Sequence, residues 1–305
     1  MIFFVNLGKI YTGLRVVETM ANGLFEETRS LVQKAIAPDG KEYESLSIEA
    51  VKKISEKRKV PGKEVEIVAL ERGVVPERYQ RNIGTVGMKG QIKLLRSKVV
   101  IAGAGGLGGT VTELLARMGI GHLIVVDGDS FEDSNINRHL LCHEKNLGGS
   151  KSKAAVERAG QINSGVEVTS FSHHVTEENA TQLIKGANVI VDALGEIGAR
   201  FILEAATKKE GIPLVHGAIA GFYGQVTTIL PEDEGLRRIY GSRDKGPEVG
   251  SESQLGTPPT TASIVASFQA QEVIKVLLGS NRLLRNRLLS IDAESGNIEI
   301  ISLSP

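Results

Sequence analysis

The apolar positions of this chain change period as it runs. Leu14, Val17, Ala21, Leu24, Thr28, Leu31 and Ala35 recur at steps of three and four, which sets them on one face of a helix. Pro38–Gly40 then reads as a turn. Ser47 is placed to cap a short helix through Arg58. Glu49 stands near its start and Lys57, Arg58 and Lys59 at its end, the order a helix dipole favours. Pro61 opens a further segment ending at Gly73, in which Glu64–Leu70 fits a helix and a strand alike. Residues 1–75 thus read as a small, mainly helical packing module.

From Val75 the texture changes. Arg78–Asn82 precedes a loop rich in glycine (Gly84, Gly87, Gly90). After Lys98, apolar strands alternate with amphipathic helices. The strands are Val99–Ala102, Leu123–Val126, Val166–Ser170, Val189–Ala193 and Leu214–Ala218. The helices are Leu107–Met118, Ser152–Ile162, Glu177–Lys185 and Ile197–Glu210. Such alternation builds βαβ units and a parallel sheet covered on both faces. The fold class is therefore α/β, a Rossmann-like, doubly wound, mostly parallel sheet over residues 76–305. An antiparallel C-terminal portion follows from the strand Gly224–Leu230 and a hairpin over Arg287–Leu303, with its turn at Glu294–Asn297. Between them, Pro231–Pro259 has no period and reads as a mobile functional loop, and Thr260–Leu278 is a helix stopping at Gly279.

Composition excludes several classes. The 305 residues carry 36 basic and 36 acidic side chains, so no global field recruits nucleic acid or an acidic membrane, and neither is expected as a partner. No apolar run reaches the roughly 18 residues of a membrane span and no leader pattern is visible, which fits a cytoplasmic protein. The one cysteine, Cys142, permits neither an internal disulfide nor a structural zinc site.

The chemistry concentrates between Lys98 and Lys151. Gly103, Gly105 and Gly108 form G-x-G-x-x-G between a strand and a helix, with Gly106 inside the turn. The first glycine permits the turn, the second lets the backbone approach a phosphate, and the third lets helix and strand pack closely. The helix start then offers free N–H groups to an anion. Asp127 lies about 20 residues on, at a strand end, where a carboxylate accepts ribose hydroxyls. NAD, FAD, S-adenosylmethionine and ATP all use such turns. Asn135, Arg138 and Lys151 follow from the same sheet edge. A hydride-transfer site has no use for cations gathered beyond the turn, whereas reaction at phosphorus spreads charge that cations stabilise.

At these residues the chain resembles the ThiF/MoeB/HesA group of ubiquitin-activating-type adenylyltransferases. The resemblance covers roughly Pro76 to Leu303. It rests on Arg78–Asn82, Gly103–Gly108, Gly119–Gly121, Asp127–Asp129, Ser134–Arg138, Gly148–Lys151 and Gln269–Lys275 followed by Gly279. It implies that ATP, with Mg2+, is joined to the C-terminal glycine carboxylate of a small ubiquitin-like protein, such as a Gly-Gly-ended sulfur carrier of molybdopterin or thiamine synthesis. The product is an acyl adenylate. By position, Asp127 would hold the ribose, Arg138 and Lys151 the phosphates, with Asn135 and Asp129 beside them. Arg81 matches an arginine that reaches across a homodimer.

The chain also departs from that group. Gly195 stands where relatives usually place a magnesium-binding Asp, leaving Glu196 or Asp192 as the candidate ligand. No Cys-x-x-Cys pairs are present, and the stretch Gly250–Gly256 before the last helix has no thiol, with Ser251 and Ser253 poor substitutes. The expected reaction therefore stops at the adenylate, without a thioester, and a catalytically impaired nucleotide-binding adaptor is the alternative; an NAD-dependent oxidoreductase would leave the cations unexplained. His173 and His174, adjacent at a strand end, should point to opposite faces. His139 and His143 read as solvated loop residues, and Cys142 as an ordinary small one.

Overall fold

The computed structural model describes residues 23–242 and 252–303. The predicted first helix up to residue 22, and Ser251 of the loop before the last helix, lie outside the described residues. The chain forms two compact units, Met1–Leu95 and Arg96–Pro305.

In the first unit, residues 23–29 are helical. Strands β1 (Gln33–Ile36) and β2 (Glu42–Leu46) follow, then the helices Ile48–Arg58 and Gly62–Glu71, β3 (Val75–Pro76) and the helix Gln80–Leu95. The described part of the module is mostly helical, with a small three-stranded sheet that the sequence reading did not include. The helical period through Leu31 and Ala35 is broken because Pro38–Gly40 closes a hairpin, pairing Gln33 with Ser45 and Ile36 with Glu42. The cap at Ser47 is present: its hydroxyl accepts the Ala50 N–H at 3.2 Å. Glu64–Leu70 resolves as helix, because Val65, Ala69, Ile67 and Leu70 are all buried, on two sides of it.

The predicted glycine-rich loop after Asn82 is helical instead. Ile83, Met88 and Ile92 pack on the core residues Ile67, Leu70, Tyr79 and Leu95. The step of five between Ile83 and Met88 falls where Gly87, at φ 68° and ψ 170°, interrupts the helix. The buried Glu66 carboxylate anchors the motif before that helix. It lies 3.1 Å from Arg78 Nε and accepts the Tyr79 hydroxyl at 3.1 Å.

The second unit is built on eight strands: β4 (Lys98–Ala102), β5 (His122–Val126), β6 (Glu167–Phe171), β7 (Val189–Asp192), β8 (Leu214–Ala220), β9 (Tyr223–Ile229), β10 (Arg287–Asp292) and β11 (Asn297–Ser302). Their order is β11-β10-β9-β8-β7-β4-β5-β6. The run from β8 to β6 is parallel and β9, β10 and β11 are antiparallel, as the apolar pattern predicts. Val99–Ala102 and Val189–Val191 are buried throughout, the composition of strands covered on both faces. The crossover helices are Gly106–Met118, Lys151–Ile162, Ala180–Ile184 and Ile197–Glu210.

The long helix Pro259–Leu278 carries buried polar side chains as well as apolar ones. Gln269 Nε2 donates to the Asp192 carbonyl at 2.8 Å. Glu272 accepts the Thr228 hydroxyl at 2.6 Å and the Leu284 N–H at 2.9 Å. These bonds tie the parallel strands to the antiparallel ones and explain the polar positions of Gln269–Lys275. After β4 the chain winds to β5 and β6 on one side, then returns to β7 and β8 on the other. The reversal point lies between β4 and β7, where open α/β sheets hold ligands.

Candidate functional site

A cavity of about 560 Å3 opens at that reversal point, at the carboxyl ends of β4, β5 and β7. Its floor is the glycine turn. Gly103 takes φ 96°, and a Cβ there would lie 2.4 Å from the Ala193 carbonyl oxygen. A Cβ on Gly108 would lie 1.8 Å from the Gly103 carbonyl oxygen, so the helix Gly106–Met118 starts in direct contact with the turn. Gly103, Gly105 and Gly106 line the cavity, while Gly108 lies behind it.

Asp127, at the end of β5, is tied on both oxygens. Oδ2 accepts the Ala104 N–H at 2.7 Å and Oδ1 accepts the Asp129 N–H at 2.8 Å. Asp129 in turn accepts Lys151 Nζ at 2.7 Å, and its carbonyl accepts the Lys151 N–H at 3.0 Å. Lys151 is buried, as the first residue of a helix capped by Ser150. Asn135 is buried in the turn Asp133–Asn135, where its Oδ1 accepts the Glu132 N–H at 3.2 Å. Arg138 is half-buried, donating to the Ser134 carbonyl at 2.8 Å and to Asn137 Oδ1 at 2.9 Å. Asp127, Asp129, Asn135, Arg138, Lys151 and Glu196 all line this one cavity. Arg81 belongs to the first unit, exposed in the first turn of Gln80–Leu95.

The wall after β7 differs from the expectation for a metal ligand. Asp192 is fully buried, with Oδ2 2.7 Å from His216 Nδ1 and Oδ1 accepting the Leu194 N–H at 3.1 Å. Its carboxylate is already satisfied, which removes it as a magnesium ligand. Glu196 is exposed at the cavity wall, and no group of three or more His, Cys, Asp or Glu side chains is placed to hold a metal among the described residues. Glu196 is thus the carboxylate of this wall left open to a cation, as a single protein ligand.

Behind this wall runs a buried polar chain. His216 Nε2 lies 3.1 Å from the Tyr240 hydroxyl, which also accepts Arg200 NH1 at 2.6 Å and Gln225 Nε2 at 2.8 Å. Arg200 also donates to the Leu194 carbonyl at 3.0 and 2.8 Å. Burial pushes the His216 imidazole below its usual range, against the pull of Asp192. The neutral ring then donates from Nδ1 to Asp192 and accepts the tyrosine proton at Nε2. The network fixes the Leu194–Glu196 loop.

Three histidines the sequence set aside belong to the cavity. His173 and His174 follow the end of β6, in irregular chain where strand alternation does not apply, and both line the cavity. The His174 ring stands 2.7 Å from the Cβ position of Gly128, and its Nε2 is 3.8 Å from Asp129 Oδ1. His139 is buried rather than solvated, because the turn after Asn135 folds its ring inward onto Gly105. The available hint was adjacency to Arg138. His143 instead accompanies Asn146 in capping the turn Glu144–Asn146. Cys142 is buried, and that burial pushes its thiol above the usual range.

Comparison with known proteins gives a consistent family. The model of the ThiF family matches residues 79–305. A SAMP-activating enzyme E1 of Haloferax volcanii is 36% identical over 230 residues, covering 74% of this chain and 84% of that protein. A sulfur carrier protein adenylyltransferase of Thermus thermophilus is 34% identical, covering 71% of this chain and 83% of its own length. The chain spans about half of the longer adenylyltransferase and sulfurtransferase MOCS3 of Culex quinquefasciatus, 52% of it at 31% identity. Among solved structures, E. coli MccB with ATP superposes with a TM-score of 0.63 at 20% identity, covering 84% of this chain and 83% of that one. That last likeness concerns the fold.

Proposed function

This chain belongs to the ThiF family and is an adenylyltransferase, and we propose that it joins ATP to the C-terminal carboxylate of a small sulfur-carrier or ubiquitin-like protein ending in Gly-Gly. The observation that carries the reading is the convergence of Arg138 and Lys151 with the glycine turn and Asp127 in one cavity. The names of the relatives in Haloferax and Thermus support the class of acceptor.

In this reading the glycine turn and the start of Gly106–Met118 receive the phosphates. Asp127, held by two N–H groups, accepts the ribose hydroxyls with its remaining lone pairs. Arg138 and Lys151 lie against the α-phosphate region, where two anions must meet. An acceptor carboxylate oxygen attacks the α-phosphorus, the bond to the bridging oxygen breaks, and pyrophosphate leaves. Lys151 is bound to Asp129 in the free site and moves or shares its proton contacts when the phosphates arrive. Glu196 is the carboxylate that would hold a Mg2+ carried on the phosphates, and the cation would supply charge neutralisation for the leaving group.

The reaction ends at the adenylate. Cys142, the chain's one thiol, is buried and its thiolate disfavoured, so it is a poor acceptor of an acyl group. Sulfur transfer falls to another protein. Arg81 acts from a second copy of the chain in a homodimer. ATP–pyrophosphate exchange with a Gly-Gly-ended carrier tests the reading. Exchange that requires both the carrier and its free C-terminus is the expected result. Tight ATP binding without magnesium-dependent exchange, for any such carrier, would overturn it and identify a nucleotide-binding adaptor, the reading that Gly195 favours.

A further inference from the structure

We infer that His139 is a direct ligand of the nucleotide's phosphate chain, presenting an imidazole N–H to a phosphate oxygen beside Arg138 and Lys151. This rests on the reading of the cavity as an ATP site and assigns a residue that neither the glycine motif nor the cations require.

Position comes first. His139 lines the cavity, and its Nε2 and Cε1 lie 3.4 and 3.5 Å from where a Cβ on Gly105 would stand. Gly105 is the glycine whose bare backbone lets a phosphate come close. The ring therefore borders the same space from above. Its placement is fixed. The His139 N–H donates to the Asn135 carbonyl at 2.9 Å, and its own carbonyl accepts the Cys142 N–H at 2.8 Å. The ring packs edge-on against Phe131, with centroids 6.3 Å apart at 62°.

Packing alone does not account for a histidine. The residue is 7% exposed, and Nδ1 is buried without a hydrogen-bond partner among the described residues. Folded proteins seldom leave a buried polar atom unpaired, so a histidine here calls for a role beyond packing. A phenylalanine would make the same edge contact with Phe131 and leave nothing unsatisfied. The nitrogen on the Gly105 side is Nε2, and in the Nε2–H tautomer the ring presents its donor to that space without any rearrangement.

The electrostatics suit a neutral donor. Burial first, then Arg138 and Lys151, push the imidazole down to about 4, with Asp129 opposing. A third cation would repel the other two in the free site, whereas a neutral ring adds a donor without that cost. When the phosphate chain arrives, its negative charge attracts the N–H end of the neutral ring's dipole.

Calorimetric binding of ATP and of adenosine to the full-length protein tests the inference. His139→Phe keeps the ring packing and removes the N–H groups. It should weaken ATP about tenfold or more, the worth of one hydrogen bond to a charged group, and leave adenosine unchanged. His139→Gln retains an N–H donor and should bind ATP close to wild type. Unchanged ATP affinity in His139→Phe, or an equal loss for ATP and adenosine, would overturn it. Should His139→Phe fail to fold, the imidazole NMR signals of the wild-type protein decide. Signals of His139 that move with ATP and not with adenosine support the assignment, and signals indifferent to ATP refute it. Failure of the adenylation reading would look different: ATP bound and His139-dependent, with no carrier supporting exchange.

Discussion

Substituting Gly108 by alanine separates the packing of the glycine turn from its chemistry. The added methyl carbon would lie 1.8 Å from the Gly103 carbonyl oxygen, 2.7 Å from that carbonyl carbon and 3.2 Å from Ala193 Cβ. A normal carbon contact needs about 3.5 Å, so turn and helix must part by about 1.5 Å. Gly103 has no room to retreat, because its own Cβ position is already 2.4 Å from the Ala193 carbonyl oxygen. The helix Gly106–Met118 must therefore move, and it carries the buried Leu107, Val111 and Leu115. Overpacking of this kind costs about 1–3 kcal/mol, and each kcal/mol lowers Tm by about 2–4 °C for a domain of this size. A misplacement of about 1 Å at a reacting group also costs about a hundredfold in rate. Gly108→Ala should lose both Tm and ATP–pyrophosphate exchange. Gly105→Ala is the control. Gly105 has φ −78°, and an added Cβ meets only the His139 ring, at 3.4 Å. Its Tm should stay near wild type while ATP affinity falls, because the methyl group occupies the phosphate approach. Differential scanning calorimetry and ATP titration report the two quantities separately. A Gly108→Ala protein with wild-type Tm and ATP affinity would refute the argument.

The remaining predictions probe charge. Lys151→Met should lower exchange about a hundredfold or more with little change in Tm, since the Asp129 it releases is half-exposed and can be solvated; exchange within twofold of wild type would remove Lys151 from the mechanism. Gly195→Asp meets nothing within 4 Å, so it should fold normally and lower the magnesium concentration needed for half-maximal exchange, and an unchanged magnesium requirement would count against a cation at this wall. If Arg81 acts across a homodimer, mixing Arg81→Ala with Lys151→Met subunits should recover up to about a quarter of wild-type exchange, because half the dimers then hold one intact site; no recovery after subunit mixing would put Arg81 in cis or outside the reaction. Burial, opposed by Arg78 and Tyr79, pushes the Glu66 carboxyl up to about 7 from 4.5. The folded state thus keeps the proton longer than the unfolded one, and stability falls as pH rises from about 4.5 through 7, by about 3 kcal/mol at most. Urea denaturation at pH 5 and pH 8 should show that slope in the wild type and lose it in Glu66→Gln; equal slopes would show that Glu66 is ionised throughout. The slope is the measure, since glutamine leaves Arg78 a weaker partner at every pH.

The sheet was legible because its strands are buried on both faces and so read as unbroken apolar runs, Val99–Ala102 and Val189–Val191 above all. The glycine turn was legible because each glycine answers a separate steric demand. The first unit was misread where a helical period continued through Leu31 and Ala35, because periodicity does not register a chain reversal such as Pro38–Gly40. The glycines after Asn82 misled in the opposite sense: the apolar step of five at Gly87 hid two helical segments that share one buried face. His139 escaped because its burial depends on how a loop folds over Gly105, which no local pattern encodes. The Asp192–His216 pair was in principle accessible. Once Ile190 is set opposite Leu214 in neighbouring parallel strands, Asp192 falls opposite His216.

The charge lining the cavity bears on why a divalent cation belongs to the proposed reaction. Asp127, Asp129 and Glu196 stand against Arg138, Lys151 and Arg200, three carboxylates against three cations. A triphosphate and an acceptor carboxylate entering a neutral cavity would meet no net attraction. These charges are not equally free to meet a ligand. Asp127 is held by two backbone N–H groups, and Asp129 pairs with Lys151. Arg200 is spent on the Leu194 carbonyl and Tyr240, fixing the wall rather than meeting the ligand. That leaves Glu196 as the exposed negative group facing phosphates, and a cation bound between them turns a repulsion into a contact. Glu196→Gln removes the repulsion along with the ligand, so ATP should bind it at least as tightly in the absence of magnesium while the gain from adding magnesium shrinks.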